Sequence, residues 1–315
     1  MSVLITSASR KVSLVEAFRS ALQGSGEVIA ADITLWAAAM HRADKSVLIP
    51  PSEAPEFIDV LLELCEQHEV ELLVPTRDDE LSILSASAGS FAAIGTRVHV
   101  SPPQAIEPCL DKRLFHEFCV DNGFPVPDLI VDPNLSDLPL FVRPRRGKGS
   151  VGIGRVDRED QLQTLEANLD MVILNRIVEA PEYTIDVFIS EGGALVSAVP
   201  RERVTVVAGE SYVARTTRDS ELAQSAADLC LAMGLIGHNT VQAFRLEDHV
   251  SFIEVNPRFG GGAALGFAAG APTPEWLLTE VRGGSVEALG DGYDPNLVML
   301  RYTNDVFIDQ ARLQK

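Results

Sequence analysis

Short apolar runs alternate with amphipathic segments along the first hundred residues. After the run SVLITS, the segment RKVSLVEAFRSAL places apolar residues from Val12 to Leu22 near helical spacing, and EFIDVLLELCEQH repeats that helical pattern. The further strand-like runs are EVIAAD (27–32), SVLIP (46–50), VELLVPT (70–76) and FAAIGT (91–96). Near-continuous apolar strands that alternate with helices predict an α/β unit with a parallel, doubly wound sheet.

Such a sheet is typical of dinucleotide-binding proteins, and Asp32 stands at the end of the second predicted strand, where a ribose-binding acid would lie. The first turn, however, reads TSASRK and lacks the glycines that let a backbone approach a pyrophosphate. The sequence therefore disfavours NAD. Because the strand ends should still face a crevice, Arg10, Lys11 and TRDDE (76–80) are either substrate contacts or solvated loop charges.

Composition narrows the class of partner. The 315 residues are 46% hydrophobic, and 26 basic against 45 acidic residues give a formal charge of -19. That charge repels nucleic acid and anionic membranes, so small-molecule substrates are expected. The apolar run at the amino terminus is too short for a signal peptide or a membrane span, which predicts a cytoplasmic protein. Four cysteines without CxxC spacing indicate neither a zinc site nor a disulfide framework.

The pattern changes after residue 105. DKRLFHEFCVDNG (111–123) predicts a helix that is capped by Asp111 and ended by Gly123, and hairpin-like segments come after it.

One of these segments, PLFVRPRRGKGSVGIGRV, contains GxGxxG at Gly147, Gly149 and Gly152. The residues after the glycines are few and strand-like and open no helix, so the glycines do not form a dinucleotide fingerprint. Strand, glycine loop and strand instead predict a hairpin flap. Its free N–H groups and neighbouring cations would close over polyphosphate oxygens. The alternative is a plain surface hairpin. The cations are Arg145, Arg146 and Lys148.

A second hairpin is predicted in TVQAFRLEDHVSFIEVN. A loop over 247–249 would set Leu246 opposite Val250 and Gln242 opposite Glu254, with Asn256 on the same face. A two-residue loop would instead turn Gln242 to the other face.

Three oxygen ligands would then converge on one spot. Alternate residues of a strand lie roughly 6.5 to 7 Å apart, a spacing that suits two divalent ions about 3.5 to 4 Å apart. Carboxylate and amide oxygens favour Mg²⁺. Arg258, fixed beyond Pro257, would stabilise charge on a transferred phosphoryl group, and the glycines at 260–262 would let the backbone approach a bound molecule. The alternative is three solvent-facing residues of an antiparallel sheet.

Four motifs in order, DK (111–112), FVRPRRGKGSVGI, LNRIVEAPEYTIDVF and VQAF followed by FIEVNPRFGGG, resemble the ATP-grasp superfamily, which includes carbamoyl phosphate synthetase, biotin carboxylase and carboxylate-amine ligases. The resemblance implies a Rossmann-like pre-ATP-grasp domain at 1–105. Two α+β subdomains of the ATP-grasp fold would follow: a small one with the glycine flap at 106–173, and a large one with the metal-binding hairpin at 174–315.

The resemblance also implies residue roles. The main chain of Arg176, Ile177 and Val178 would meet adenine, and Glu182 would accept from the ribose hydroxyls. Arg258 would contact the reacting phosphate. Further nucleotide contacts would be Lys112, Arg143, Gly147, Lys148, Gly149 and Ser150. The ligands of Mg²⁺ would be Gln242, Glu254 and Asn256, with two ions expected and Mn²⁺ as the alternative.

Two positions depart from the family pattern. The family usually has lysine at the position of Arg143, and glutamine then glutamate at those of Asn175 and Arg176. Arginine keeps the charge but packs differently. The missing hinge acid leaves the adenine amino group to backbone carbonyls.

The segment 198–217 resembles the one that brings an arginine to the substrate in this superfamily. Arg201 and Arg203 share a strand face, and Tyr212 and Arg215 follow the turn at Gly209. This lining would suit an anionic acceptor. The alternative is that both arginines are exposed.

The function implied by the resemblance is an ADP-forming ligase that uses ATP and Mg²⁺ to activate a carboxylate as an acyl phosphate for attack by an amine. Two alternatives stay open: bicarbonate activation for carboxylation or carbamoyl transfer, and an ATP-binding regulator without catalysis. The resemblance also allows a homodimer.

Overall fold

The computed structural model describes residues 1–147, 152–166 and 172–313. In the first range the strands β1 to β5 form a parallel sheet in the order β3-β2-β1-β4-β5. They are β1 (Ser2–Ile5), β2 (Glu27–Asp32), β3 (Lys45–Leu48), β4 (Val70–Val74) and β5 (Arg97–Val98), and the helices are α1 (Val12–Leu22), α2 (Phe57–Gln67) and α3 (Asp78–Ala93), with a 3₁₀ turn at Ala38–His41. Val3 and Ile5 are buried in one hydrophobic cluster and Leu4 in another, so both faces of the sheet are covered. The predicted α/β fold is confirmed.

One predicted strand is wrong. FAAIGT was expected to form the fifth strand, but Phe91 and Ala93 belong to the end of α3, and the strand is Arg97–Val98. Phe91 is fully buried from the helix side, and Gly95, with φ of 84°, follows the helix end. A short apolar run cannot by itself distinguish a buried strand from the last turn of a buried helix.

The middle of the chain carries a small antiparallel sheet in the order β7-β6-β8. Its strands are β6 (Leu140–Pro144), β7 (Gly154–Val156) and β8 (Val172–Arg176). The helices of this part of the chain are α4 (Pro103–Leu110), α5 (Lys112–Asp121) and α6 (Glu159–Glu166), with a 3₁₀ turn at Leu135–Asp137. Of these helices α6 packs on the small sheet, whereas Phe115 of α5 belongs to the core of the large sheet. The helix predicted after Asp111 is confirmed. The Asp111 carboxylate caps it by accepting from the backbone N–H groups of Arg113 and Leu114 at 3.0 and 3.3 Å.

Residues 182–300 hold a larger antiparallel sheet in the order β13-β12-β9-β10-β11-β14. Its strands are β9 (Glu182–Ile189), β10 (Leu195–Val207), β11 (Glu210–Thr216), β12 (Gly237–Arg245), β13 (Val250–Asn256) and β14 (Val298–Leu300), accompanied by α7 (Ser220–Ala232), α8 (Ala263–Ala268), α9 (Thr273–Val281) and a 3₁₀ turn at Gln310–Leu313. Ile185 and Val187 pack under α7, whereas Phe259 packs edge-on against Phe18 of α1 at 5.8 Å. This shared core sets the β1–α1 loop beside the β12–β13 hairpin.

The expected domain limits fall inside elements. The limit after residue 105 lies within α4, and the limit after residue 173 lies within β8. Since β8 pairs with β6, the small sheet extends to Arg176. The division at 1–105, 106–173 and 174–315 stays a proposal. In the part of the chain that the structure describes, no helix is long and apolar enough to cross a bilayer.

Candidate functional site

The β12–β13 hairpin has the predicted pairing at its functional end and a different one at its turn. Gln242 lies opposite Glu254, as expected, but Val250 faces Arg245 instead of Leu246. The register shifts between Gln242 and Ala243, because the extra residue Ile253 forms a bulge that compensates for a longer turn. The simple count made the turn one residue too short and left out the one-residue bulge in β13. These two errors cancel at Gln242, so its predicted partner is correct.

The three predicted oxygen donors meet at one carboxylate oxygen. Glu254 Oε1 accepts from Gln242 Nε2 at 3.1 Å and from Asn256 Nδ2 at 3.0 Å. A half-turn of either amide about its terminal bond would present its oxygen instead of its nitrogen. One carboxylate and two carboxamides form a donor set that suits a hard cation such as Mg²⁺. Among the described residues no cluster of three His, Cys, Asp or Glu side chains suits a metal ion.

Arg258 joins this group to the amino-terminal domain. Its Nε and Nη2 donate to the two oxygens of Asp78 at 2.6 and 2.9 Å, and Nη2 also donates to Asn256 Oδ1 at 3.2 Å. Burial alone would lower the pKa of Arg258, but the Asp78 carboxylate holds that pKa above its usual value. Asp78 lies in TRDDE, which the sequence marked only as a candidate substrate contact. Its pairing with a residue 180 positions away had no sequence signal.

At each of the three glycines after Arg258, an added Cβ would come close to a neighbouring protein side chain. A Cβ at Gly260 would lie 2.9 Å from Thr240 Oγ1, and one at Gly262 would lie 2.5 Å from Arg201 Nη1. A Cβ at Gly261 would collide with the Glu210 carboxylate. The described backbone therefore approaches its own neighbours here, whereas the sequence suggested an approach to a bound molecule.

Arg203 and Glu182 lie together on the same side of the large sheet. Arg203 Nε is 3.0 Å from Glu182 Oε1, and Arg203 Nη2 donates to the Gly209 carbonyl at 2.9 Å. Burial raises the pKa of Glu182, Arg203 opposes this, and the charge of Glu254 raises it further. The strand register agrees with this, because Gln242 lies opposite both Glu254 on β13 and Thr184 on β9, two residues from Glu182.

Arg201 lies in the interior, although the sequence grouped it with Arg203 as a lining residue. Its side chain is 1% exposed, and its Nε and Nη2 each donate to Asp186 at 2.7 Å. His238 Nε2 is 3.7 Å from the same carboxylate. Asp186 was not predicted, because an alternating strand does not reveal which charged residue has a buried partner.

Lys112 and Arg143 face the hairpin from the small subdomain. Lys112 Nζ donates to the Gly147 carbonyl at 3.2 Å, and Arg143 Nη1 donates to the carbonyl of the bulge residue Ile253 at 3.1 Å. Burial lowers the pKa of both cations, and the nearby Glu254 carboxylate opposes the shift. Within the described residues Arg143 Nε has no hydrogen-bond partner, although it is buried.

The expected flap has the predicted strands, since β6 and β7 pair as a hairpin. Lys148, Gly149 and Ser150 lie outside the described residues. Arg145 Nε donates to both oxygens of Asp111 at 2.9 Å, and Arg146 Nε donates at 3.2 Å. Burial would raise the pKa of Asp111, but Arg145 and the helix N–H groups hold it below its ordinary value. Asp111 thus ties the base of the flap to the start of α5.

The hinge segment follows β8. The Asn175 amide is buried and donates to the carbonyls of Pro127 and Asp128 at 3.2 and 3.3 Å, so it anchors a neighbouring loop. The Arg176 N–H donates to the Asp128 carbonyl, and its guanidinium lies 3.2 Å from Asp137. The N–H of Val178, by contrast, has no hydrogen-bond partner among the described residues. Ile177 is partly exposed beside it.

Tyr212 and Arg215 lie on β11, beyond the turn at Ala208 and Gly209, where both residues have positive φ. Arg215 pairs with Glu202 at the surface, 2.6 Å apart. Tyr212 lies under the guanidinium of Arg301, 6.0 Å from ring centre to Cζ. No motif in the sequence pointed to Arg301.

Comparison with protein families finds two matches. The model described as "PylC-like, N-terminal domain" matches residues 3–99, and "ATP-grasp in the biosynthetic pathway with Ter operon" matches residues 168–298. Among curated proteins, the carbamoyl phosphate synthase large chain of Thermomicrobium roseum is 27% identical over 67% of this chain, and that of Thermoplasma acidophilum is 24% identical over 82%. The matches span 22% and 28% of those relatives.

Solved structures share the fold over most of the chain. Biotin carboxylase from Campylobacter jejuni has a TM-score of 0.73 at 17% identity and covers 90% of this chain and 71% of its own. The L-amino acid ligase of Bacillus licheniformis has a TM-score of 0.69 at 17% identity, covering 90% and 75%. A third structure is the biotin carboxylase domain dimer of Hydrogenobacter thermophilus 2-oxoglutarate carboxylase in complex with MgADP, ADP and bicarbonate. It has a TM-score of 0.76 at 14% identity, and the match covers 94% of this chain and 73% of that one.

The second family match includes the whole of the β12–β13 hairpin. Residues 168–298 are thus similar to an ATP-grasp family, and residues 3–99 are similar to a PylC-like amino-terminal domain.

Proposed function

We propose that this protein is an ADP-forming ligase that activates a substrate carboxylate as an acyl phosphate for attack by an amine. The observation that carries the proposal is the meeting of Gln242, Glu254 and Asn256 beside the guanidinium of Arg258. The family match and the shared fold with an L-amino acid ligase support it.

Gln242, Glu254 and Asn256 would hold Mg²⁺, because their oxygens form a hard donor set on one face of the hairpin. When bound, magnesium neutralises charge on the nucleotide phosphates. The neighbour from Hydrogenobacter thermophilus contains MgADP, which supports this ion. Two ions and the use of Mn²⁺ are part of the proposal.

The nucleotide would lie between the two ATP-grasp sheets. Lys112 at the start of α5 and Arg143 on β6 lie near the charge of Glu254, as phosphate-binding cations would. Glu182 has an oxygen for the ribose hydroxyls, and the free N–H of Val178 can donate to adenine. The main chain of Arg176 and Ile177, the flap residues Gly147, Lys148, Gly149 and Ser150, and the substrate-side arginines Arg201 and Arg203 complete the set expected from the sequence.

The chemistry needs positioning more than covalent catalysis. A carboxylate oxygen attacks the γ-phosphorus and ADP leaves. The amine nitrogen then attacks the carbonyl carbon, the bond to the phosphate oxygen breaks, and the nitrogen loses a proton. Arg258 is held by Asp78 where it can stabilise negative charge on the transferred group.

The test measures ADP and phosphate release with a panel of carboxylic acids and amines, and it traps acyl phosphate with hydroxylamine. Release should require both substrates, and Glu254→Gln should reduce it about a hundredfold or more. The control is Glu247→Gln, at the exposed turn of the same hairpin, which should behave as wild type. Full turnover in Glu254→Gln would refute the site. Release that depends on bicarbonate instead of an acid and amine would favour a carboxylase or carbamoyl-type activity. ATP binding without hydrolysis across the panel would favour a regulator.

The acid and amine are expected to be small molecules. A homodimer is also proposed, which light scattering of the purified protein would test.

A further inference from the structure

A second charged group lies between the amino-terminal domain and the large sheet. We call it the interdomain cluster and define it as Lys11, Asp78, Glu210, Arg258 and Arg301. It contains two ion pairs: Arg258 with Asp78, and Arg301 Nη1 with Glu210. Arg301 Nη2 also donates to the Gly261 carbonyl at 2.6 Å. Both acids of the cluster are therefore already paired.

The interdomain cluster has one more cation than it has carboxylates. Thr76 Oγ1 donates to the Ser7 carbonyl at 2.8 Å and so holds the β1–α1 loop against the start of α3, where Asp78 pairs with Arg258. Lys11, at the end of this loop, is partly buried and within reach of the charges of Arg258 and Arg301, and its side chain makes no ion pair or hydrogen bond within the described residues. Arg10, exposed next to it, is likewise unpaired there, and its charge reaches Glu210. The cluster and Arg10 together carry four cations and two carboxylates, and the other two carboxylates at this loop, Asp32 and Glu80, already accept hydrogen bonds from the Ser9 N–H and from the hydroxyls of Thr6 and Ser7. A partly buried ammonium without a counterion is costly unless an anion from outside supplies the missing charge.

The loop that presents these cations is held in an uncommon conformation. Ser7 and Ser9 have φ of 47° and 44°, a region that costs energy for residues other than glycine. The loop is fixed by hydrogen bonds from the Ser7 hydroxyl to buried Glu80 at 2.5 Å and from the Ser9 N–H to Asp32 at 2.8 Å. The energetic cost is consistent with a loop whose shape serves to place Arg10 and Lys11 at the crevice.

The start of α1 adds to the same positive field. Its first turn has no acidic residue, and no side chain caps it. The first turn of α3, which reaches the same crevice through Asp78, has three acidic residues. The partial positive charge at a helix start is thus compensated in α3 and uncompensated in α1.

The cluster adjoins the proposed reaction centre. Arg258 Nη2 donates both to Asn256, one of the proposed magnesium ligands, and to Asp78 of the cluster. A molecule whose reacting group lies at Arg258 would therefore extend toward Lys11.

From this arrangement we propose that Lys11 and Arg10 bind a carboxylate that the reaction leaves unchanged. The inference rests on the proposed ligase function and names its substrate class. One substrate carries a carboxylate besides the one that is activated: either the acid is a dicarboxylate, or the amine is an amino acid. In both cases the extra carboxylate passes into the product, and only the bonds described above form and break.

Matched probes distinguish the two sources. In each pair of probes, one member has its extra carboxylate blocked as an amide. Comparing glutarate with its monoamide tests whether the acid substrate carries the extra carboxylate, and comparing alanine with alaninamide tests whether the amine substrate does. Each probe is measured with and without the other substrate. Phosphate release by the full chain is measured for wild type, for Lys11→Gln, and for the control Lys45→Gln, an exposed lysine paired with Glu27. Calorimetry with the same probes in the presence of ADP measures binding without turnover.

We expect the unblocked member of one pair to be preferred, and Lys11→Gln to raise its KM about tenfold or more while the KM for ATP stays unchanged. Lys11→Arg should restore most of the affinity. Burial and Arg258 lower the pKa of Lys11 to about 8, against the raising effects of Glu210 and Asp78. Binding should therefore weaken as the pH rises through about 8 in wild type, but not in Lys11→Arg.

The outcomes separate the two proposals. If amidation of the probe's carboxylate and Lys11→Gln both leave the rate of phosphate release unchanged, the carboxylate site is overturned and the proposed ligase function stands. Binding of an unblocked probe that Lys11→Gln abolishes, without phosphate release from any pair, would support the site and overturn the ligase. Binding of neither member of either pair in calorimetry would overturn the carboxylate site.

Discussion

The buried ion pair between Asp186 and Arg201 leads to a prediction about stability. Asp186→Asn keeps the shape of the side chain and removes its charge, so the guanidinium, 1% exposed, loses its counterion. Breaking such a pair costs about 3–5 kcal/mol. An unfolding entropy of about 2.1 cal/mol/K per residue, taken over 315 residues, converts this loss into a fall of about 5–8 °C in Tm if the chain unfolds in one transition.

Differential scanning calorimetry measures the shift. The control is Asp291→Asn, which removes an exposed partner of Arg218, 3.4 Å away, and should cost less than about 1 kcal/mol. The double variant Asp186→Leu/Arg201→Met replaces both charges by apolar groups and should recover most of the loss.

Two results would refute this reasoning: a wild-type Tm for Asp186→Asn, or a double variant less stable than the single one. The double variant also tests the role of Arg201. If it is stable and active, Arg201 supports the fold. If it is stable and inactive, the substrate-side role expected from the sequence holds.

Two further predictions concern the same region. Gly262→Ala should lower the free energy of unfolding by about 1–3 kcal/mol, because the added methyl group would displace the paired Arg201 guanidinium. The control Gly89→Ala, in α3 with open space around it, should be neutral or stabilising in the same thermal melt. Equal effects of the two substitutions would contradict the packing argument. Burial lowers the pKa of His99 to about 3 and of His238 to about 4, so their stabilising contribution is full above the unfolded pKa of about 6.5 and is lost as the pH falls below it. The free energy of unfolding by urea should therefore be lower at pH 5.5 than at pH 6.5. If His238→Phe shows the same fall in this free energy between the two pH values, the explanation by buried histidines is wrong.

Much of the fold could be predicted from local sequence. The strands of the parallel sheet follow apolar runs, and the helix after Asp111 follows a cap and a periodic face. FAAIGT failed because its apolar residues satisfy both a buried strand and the end of a buried helix. The pairing of Gln242 with Glu254 was predicted correctly from a simple count, although the count missed the bulge at Ile253.

By itself the sequence determined which side chains share a strand face, because alternation along a strand is a local property. It thereby placed Glu254 and Asn256 together, and four motifs in order gave the resemblance to the ATP-grasp superfamily. Only the tertiary structure decided which charges meet: it paired Arg258 with Asp78, buried Arg201 against Asp186, and left Lys11 without a counterion among the residues described. The physical reason is that a charge is neutralised by whatever lies nearest in space, and that neighbour is set by packing between sheets and not by distance along the chain.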